Sequence, residues 1–135
     1  MAAGYSGTPL VKKLGIKAGN DILLVNTPDH YMDLLGTELP DDLVFQEERS
    51  QSDFIHFFTK EHEELDREFS DLKKYLDKNG MIWVSWPKKA SKVPTSVDEA
   101  LVRRKGLELG LVDVKICAVD ETWSGLKFVY RKKDR

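Results

Sequence analysis

Two side chains stand out as able to move a proton or hold a charge: His30 and Lys88. An imidazole near a carboxylate such as Asp29 can act as a general base, and a lysine can hold an anion, so the pair points to a small acidic ligand. Both follow predicted strand ends, where open parallel sheets bind their ligands. That edge gathers Asn26, Thr27, Asp29 and His30 after the first strand, Thr59 to His62 after the central one, and Ser85, Trp86, Lys88 and Lys89 after the next. The candidate ligand-binding set is therefore Asn26, Thr27, Asp29, His30, Ser85, Trp86 and Lys88, and no catalytic residue is assigned. Plainer roles weigh more for each: Asp29 can cap the helix that contains His30, and loop lysines are commonly solvated.

The remaining reactive side chains fit structural roles. His56 falls inside a strand and His62 in the first turns of a helix, and with His30 they match no zinc-binding spacing, so no metal is expected. Cys117 lies mid-strand with no neighbouring His or second Cys, which reads as an inert thiol. Trp83 and Trp86, three apart, belong on opposite sheet faces: Trp83 under a helix, Trp86 as a pocket wall or partner anchor. Trp123 is expected at a hairpin tip, where an indole either folds back or meets a partner.

These residues must be positioned by a small scaffold. The chain has 135 residues, 41% apolar and 33% charged, which allows one domain with a sizeable core and excludes a multidomain enzyme or a disordered chain. With a single cysteine, no leader-like opening and apolar runs of four or five residues, it is expected to be soluble and cytoplasmic with no membrane span. The net charge of −2 hides an uneven distribution: residues 29–77 hold 5 basic against 15 acidic side chains, and residues 78–135 hold 13 against 7. Solvated helix faces and helix dipoles account for much of this. Lys88, Lys89 and Lys92, then Arg103, Arg104 and Lys105, then Arg131, Lys132, Lys133 and Arg135 would make a phosphate-contacting stripe if they shared one face. The acidic overall balance and the lack of any nucleic-acid-binding motif argue against a dedicated binder.

Hydrophobic patterning sets the order of elements over residues 1–135, with 1–7 as a flexible opening. Thr8-Pro9 starts a short helix closed by Gly15; Asp21–Asn26 is a strand covered on both faces; His30–Leu35 is a short helix stopped by Gly36; Leu43–Glu47 is a second strand. Phe54–Phe58 is a central strand, and Thr59 is placed to cap the longest helix, whose stripe is Leu65, Phe69, Leu72 and Leu76 and whose stop is Asn79-Gly80. Met81–Trp86 is the strand that completes a parallel crossover unit. A helix follows, with Ser96 and Glu99 as a capping box, Gly106 weakening its last turn and Gly110 ending it. Leu111–Val119, with Val112, Val114 and Ile116 on one side, and Leu126–Arg131 are strands joined by Asp120–Gly125, too short for a crossover and so antiparallel.

This order predicts a three-layer, Rossmann-like α/β domain: a mostly parallel sheet with a C-terminal antiparallel hairpin strand. It resembles a shortened class I methyltransferase fold over about residues 20–132. The resemblance implies an S-adenosylmethionine site with glycines in the turn after the first strand and an acidic residue, Glu47 or Glu48, to grip a ribose. Here that turn reads Asn26-Thr27-Pro28-Asp29-His30-Tyr31, with no glycine before Gly36, so no cofactor is expected. At a finer level, Gly4–Leu10 with Lys13–Ile16, Ile82–Lys88 and Asp113–Val129 resemble a family of small uncharacterised bacterial proteins known as a domain of unknown function. That resemblance implies a bacterial source and supplies no catalytic residue. The expected role is a non-catalytic, methyltransferase-like module acting through a protein partner or self-association. The alternative is a small enzyme or a binder of small anionic ligands at the strand ends.

Overall fold

The computed structural model describes residues 8–135, and the opening segment expected to be flexible, 1–7, lies outside the described residues. The elements in chain order are α1 (Leu10–Leu14), β1 (Asp21–Val25), α2 (Tyr31–Leu35), β2 (Val44–Phe45), β3 (Ser52–Phe58), α3 (His62–Lys73), β4 (Leu76–Pro87), α4 (Glu99–Glu108), β5 (Leu111–Ala118) and β6 (Trp123–Tyr130). The strands form one six-stranded sheet in the order β2-β1-β3-β4-β6-β5. β1 runs parallel to β2 and β3, and β3 parallel to β4, while β6 is antiparallel to both its neighbours. The returning strand thus lies between β4 and β5, leaving β5 as the edge. Its position places the start of β6, Trp123, beside the carboxyl end of β4, Pro87.

The two faces of the sheet carry two cores, as the unbroken apolar runs require. On one, Ile22, Phe54, Phe58 and Trp83 pack with Leu10 and Leu14 of α1 and Tyr31 and Leu35 of α2. The Trp83 indole N–H donates to the Leu14 carbonyl at 2.8 Å, which ties the end of α1 to the sheet. On the other, Ile55, Phe57, Ile82, Val84, Trp86, Leu126 and Phe128 receive Leu65, Phe69 and Leu72 of α3 and Val102 of α4. Burying each large apolar side chain contributes about 1.5–3 kcal/mol, which outweighs the intrinsic cost of starting so short a helix.

Several local expectations are corrected. Leu76 and Asn79-Gly80 do not end α3, which stops at Lys73; they open β4. A register shift between β3 and β4 accommodates them, and a Cβ on Gly80 would lie 2.6 Å from the Asp53 carbonyl oxygen, so glycine permits close strand approach rather than helix termination. The second strand shrinks to Val44–Phe45. Trp123-Ser124-Gly125 is not a connection but the start of β6, and Trp123 is folded back and buried, as are Trp83 and Trp86. Val112, Val114 and Ile116 do not share one side: the β5 pairing shifts between Asp113 and Lys115, so Asp113 reaches Arg103 of α4 while Lys115 donates to the Lys13 carbonyl of α1.

The capping pattern also differs. His30, not Asp29, precedes α2, and no side chain caps it. Asp98 caps α4 by accepting from the Leu101 N–H at 2.9 Å, and Ser96 instead accepts from the His62 N–H at 2.7 Å. The hydroxyl expected to start α4 therefore caps α3 from a neighbouring loop, while Thr59, expected in that role, donates to Glu64 at 2.6 Å.

Across the sheet centre runs a buried polar chain. His56 is fully enclosed; its Nδ1 lies 2.8 Å from the Tyr31 hydroxyl on α2 and its Nε2 lies 2.8 Å from Ser85 Oγ on β4. Phe58 stacks on the imidazole with centroids 4.3 Å apart. Burial pulls the imidazole down to about 3 and pushes the Tyr31 phenol up, so both are neutral at physiological pH.

Two predictions follow from this packing. A Cβ on Gly106 would fall 2.1 Å from the Phe128 ring, so Gly106→Ala, which ordinarily strengthens a helix by about 1 kcal/mol, is expected to destabilise this protein by roughly 1–3 kcal/mol in urea unfolding. Because the folded imidazole of His56 titrates near 3 and an unfolded one near 6.5, the unfolded chain binds the extra proton between these values. Stability is therefore expected to fall as pH drops through that window, by up to about 1.4 kcal/mol per unit, and His56→Phe is expected to flatten the slope.

Candidate functional site

At the carboxyl ends of β1 and β3, where the sheet's connections diverge to either side, lies a cleft of about 620 Å³. Its floor and walls come from three places. The β1–α2 turn supplies Asn26, Pro28 and Asp29; the β3–α3 junction supplies Phe58, Thr59, Lys60, Glu61 and Glu64; and the hairpin into β6 supplies Thr122 and Trp123, with Val93 at the rim.

Each segment has a local reason for its shape. Asn26 sits at φ 58°, a left-handed conformation that asparagine tolerates better than most side chains, and it turns the chain sharply out of β1. Pro28 follows and accepts the Tyr31 N–H at 3.0 Å, closing the turn. On the hairpin, Asp120 Oδ1 accepts from the Thr122 and Trp123 N–H groups, both at 2.8 Å, which sets Trp123 edge-on against Phe58 with centroids 5.0 Å apart. The Lys60 carbonyl is held by the Ser96 N–H and the Thr95 hydroxyl, so the loop before α4 braces the same junction.

The seven sequence-derived residues do not converge. Asn26 and Asp29 line the cleft, and Thr27 lies between them in the turn. His30 turns to the hairpin, with Nε2 2.8 Å from Asp120 Oδ2, and joins the two walls as an ion pair whenever the imidazole carries a second proton. Burial raises the Asp120 carboxyl, but the bonds from His30, Trp123 and Thr122 prevail and hold it below the usual carboxylate range. Ser85 faces His56 inside the sheet and Trp86 belongs to the α3–α4 core, so neither is among the residues lining the cleft. Lys88 borders a separate hollow of about 320 Å³ with Trp86, Lys89, Asp98 and Glu99, so two of the seven meet there.

Sequence reasoning missed Asp120, Thr122 and Trp123 as partners of the β1 turn. The hairpin could be read, but the insertion of β6 beside β4, which brings its first residue to this edge, could not. The cleft's charge is also unlike the expectation from His30 and Lys88: Asp29, Glu61 and Glu64 surround the single cation Lys60. Among the described residues, no three His, Cys, Asp or Glu side chains are placed to hold a metal ion. Burial pushes the Cys117 thiol up against the opposing pull of Lys13 and Lys115, which favours the unreactive protonated form. No helix among these residues is long and apolar enough to cross a membrane.

The architecture is that of methyltransferases of known structure. An S-adenosylmethionine-dependent methyltransferase from Aquifex aeolicus superposes with a TM-score of 0.60 at 16% identity, covering 93% of this chain and 89% of that one. The complex between the Haloferax volcanii Trm112 methyltransferase activator and its putative methyltransferase gives 0.64 at 10% identity, covering 89% and 86%. Magnesium protoporphyrin IX methyltransferase from Synechocystis PCC 6803, with S-adenosylmethionine bound, gives 0.58 at 11%, covering 90% and 74%. At such identities the likeness establishes the fold alone. No curated protein matches the chain in sequence. One family does, over residues 12–132: the chain belongs to DUF3052, a family described as proteins of unknown function.

Proposed function

We propose that this protein is a methyltransferase-like module that works by binding a second copy of itself or another protein, without transferring a methyl group. The observation that carries this reading is the β1–α2 turn. A cofactor cradle at this point of the fold needs backbone N–H groups and room for close approach. Here Pro28 has no N–H, the Tyr31 N–H is already spent on the Pro28 carbonyl, and α2 has only five residues. Side chains, not glycines, face the cleft.

Support for association comes from the sheet edge. β5 has an unpaired outer side, and Val114 and Ile116 on it are 52% and 47% exposed. The shift at Asp113/Lys115 and Lys115 itself blunt strand addition along this edge, so the association is carried by the two exposed branched side chains, which add apolar area along it. A neighbour of the same architecture has been caught in complex with a protein activator, which supports the reading that this scaffold suits a protein partner.

A small-molecule site at the carboxyl edge is the second reading, favoured by the cleft itself. Its three carboxylates suit a ligand rich in hydroxyls or positive charge rather than the anion that Lys88 suggested.

Calorimetric titration with S-adenosylmethionine and S-adenosylhomocysteine is expected to give no saturable heat up to on the order of 1 mM, and micromolar binding would overturn the reading. Light scattering across a concentration series is expected to show self-association. The double variant Val114→Lys, Ile116→Lys is expected to weaken it by on the order of 100-fold while leaving the far-ultraviolet circular dichroism unchanged.

A further inference from the structure

We propose that the basic surface around Tyr130, at the edge of the sheet opposite the cleft, binds the phosphate backbone of nucleic acid. The ten basic residues that looked like one stripe in the sequence are separated by the fold. Lys88 and Lys89 lie beside the start of α4 at the carboxyl edge. Arg103 is occupied by Glu99 and Asp113, and Lys105 by Asp66. The last group finds different company. β6 carries the chain from Trp123 at the cleft to Tyr130 over eight residues, roughly 25 Å, and sets Tyr130 beside the first residues of β4 and the end of α3, where its hydroxyl donates to the Lys73 carbonyl at 3.3 Å and Arg131–Arg135 follow it in the chain.

There the Tyr130 ring is shared by two ammonium groups, Lys78 Nζ at 4.5 Å and Lys73 Nζ at 5.7 Å from its centroid. Arg135 folds back to donate to the Tyr130 carbonyl at 2.9 Å, holding the terminal turn against the strand. Segments 73–78 and 130–135 together hold seven basic residues, Lys73, Lys74, Lys78, Arg131, Lys132, Lys133 and Arg135, against Asp77 and Asp134. Of these, Lys78, Lys132 and Lys133 are exposed and have no ion-pair partner among the described residues. Concentrated like charge of this kind costs self-repulsion unless a polyanion relieves it.

The chemistry of the patch selects the partner. Tyr130 is only 8% exposed, so it offers no face on which a base can stack. What the surface presents is a set of mobile point charges, which suits regularly spaced phosphates without sequence preference. The acidic cleft and the basic patch lie on opposite edges, so the uneven charge of the chain is resolved into two separate surfaces, and the patch does not depend on the function proposed for the rest.

The test is fluorescence anisotropy with a labelled 20-base-pair DNA duplex and full-length protein. With about four phosphates neutralised, the dissociation constant is expected to rise by about 100-fold between 50 and 200 mM salt. The triple variant Lys78→Gln, Lys132→Gln, Lys133→Gln is expected to lose most of the affinity and most of that salt dependence. A charge-matched variant, Lys12→Gln, Lys17→Gln, Lys92→Gln, removes three exposed cations elsewhere and is expected to bind as the parent does. Absence of binding at the lowest salt, equal loss in both variants, or binding confined to vesicles of phosphatidylglycerol each overturns the proposal.

Discussion

The structure depends on an imidazole that has no access to water. His56 occupies the centre of the central strand, and its two ring nitrogens join α2 to β4 through Tyr31 and Ser85. A buried polar atom left without a partner costs about 1–3 kcal/mol, so the three residues hold their places together or not at all. Tyr31 is the first residue of α2, and the cleft-lining turn Asn26–Asp29 lies immediately before it. The polar chain inside the sheet thereby fixes where that turn leaves the surface. The aromatic contacts extend the same support: Phe58 stacks on His56 and meets Trp123 edge-on, so the core and the far wall of the cleft are one packed unit.

This constraint explains which parts of the molecule were legible in the sequence. The central apolar strand, the Leu65–Phe69–Leu72 part of the α3 stripe and the antiparallel sense of the last two strands all follow from local periodicity and loop length, while Leu76 and Trp123–Gly125 fall into strands instead. What periodicity cannot express is a partner distant in sequence. Ser96 reads as the start of its own helix, yet its hydroxyl reaches a different one, because the loop before α4 folds over the β3–α3 junction. Gly80 and Gly106 read as breakers, yet each is small because a backbone or a ring lies against it.

The candidate site was legible in the same uneven way. The rule that ligands gather beyond strand ends led to Asn26 and Asp29, which do share a cleft. Ser85 follows the same rule and falls inside the core, since strand β4 extends to Pro87 and β6 covers it, while Trp86 packs in the core and shows its margin to the hollow beside Lys88. Alternation along a strand tells which side a residue faces, but not how far the neighbouring strand reaches.

A sheet can outlast the chemistry that neighbours of the same architecture perform on it, because the two make different demands. The order of strands is upheld by 28 buried hydrophobic side chains among the described residues and by one satisfied polar chain, none of which requires a ligand. A cofactor site would rest on a single turn, where free amides and small residues matter and apolar packing does not. At that turn this chain meets the geometric need with the left-handed Asn26 and then places a proline and a carboxylate where donors would serve a ligand. On the proposed reading, the bend serves folding rather than a nucleotide. On that reading, function rests on features that packing does not account for: exposed apolar side chains on β5, and opposite charges at the two ends of β6.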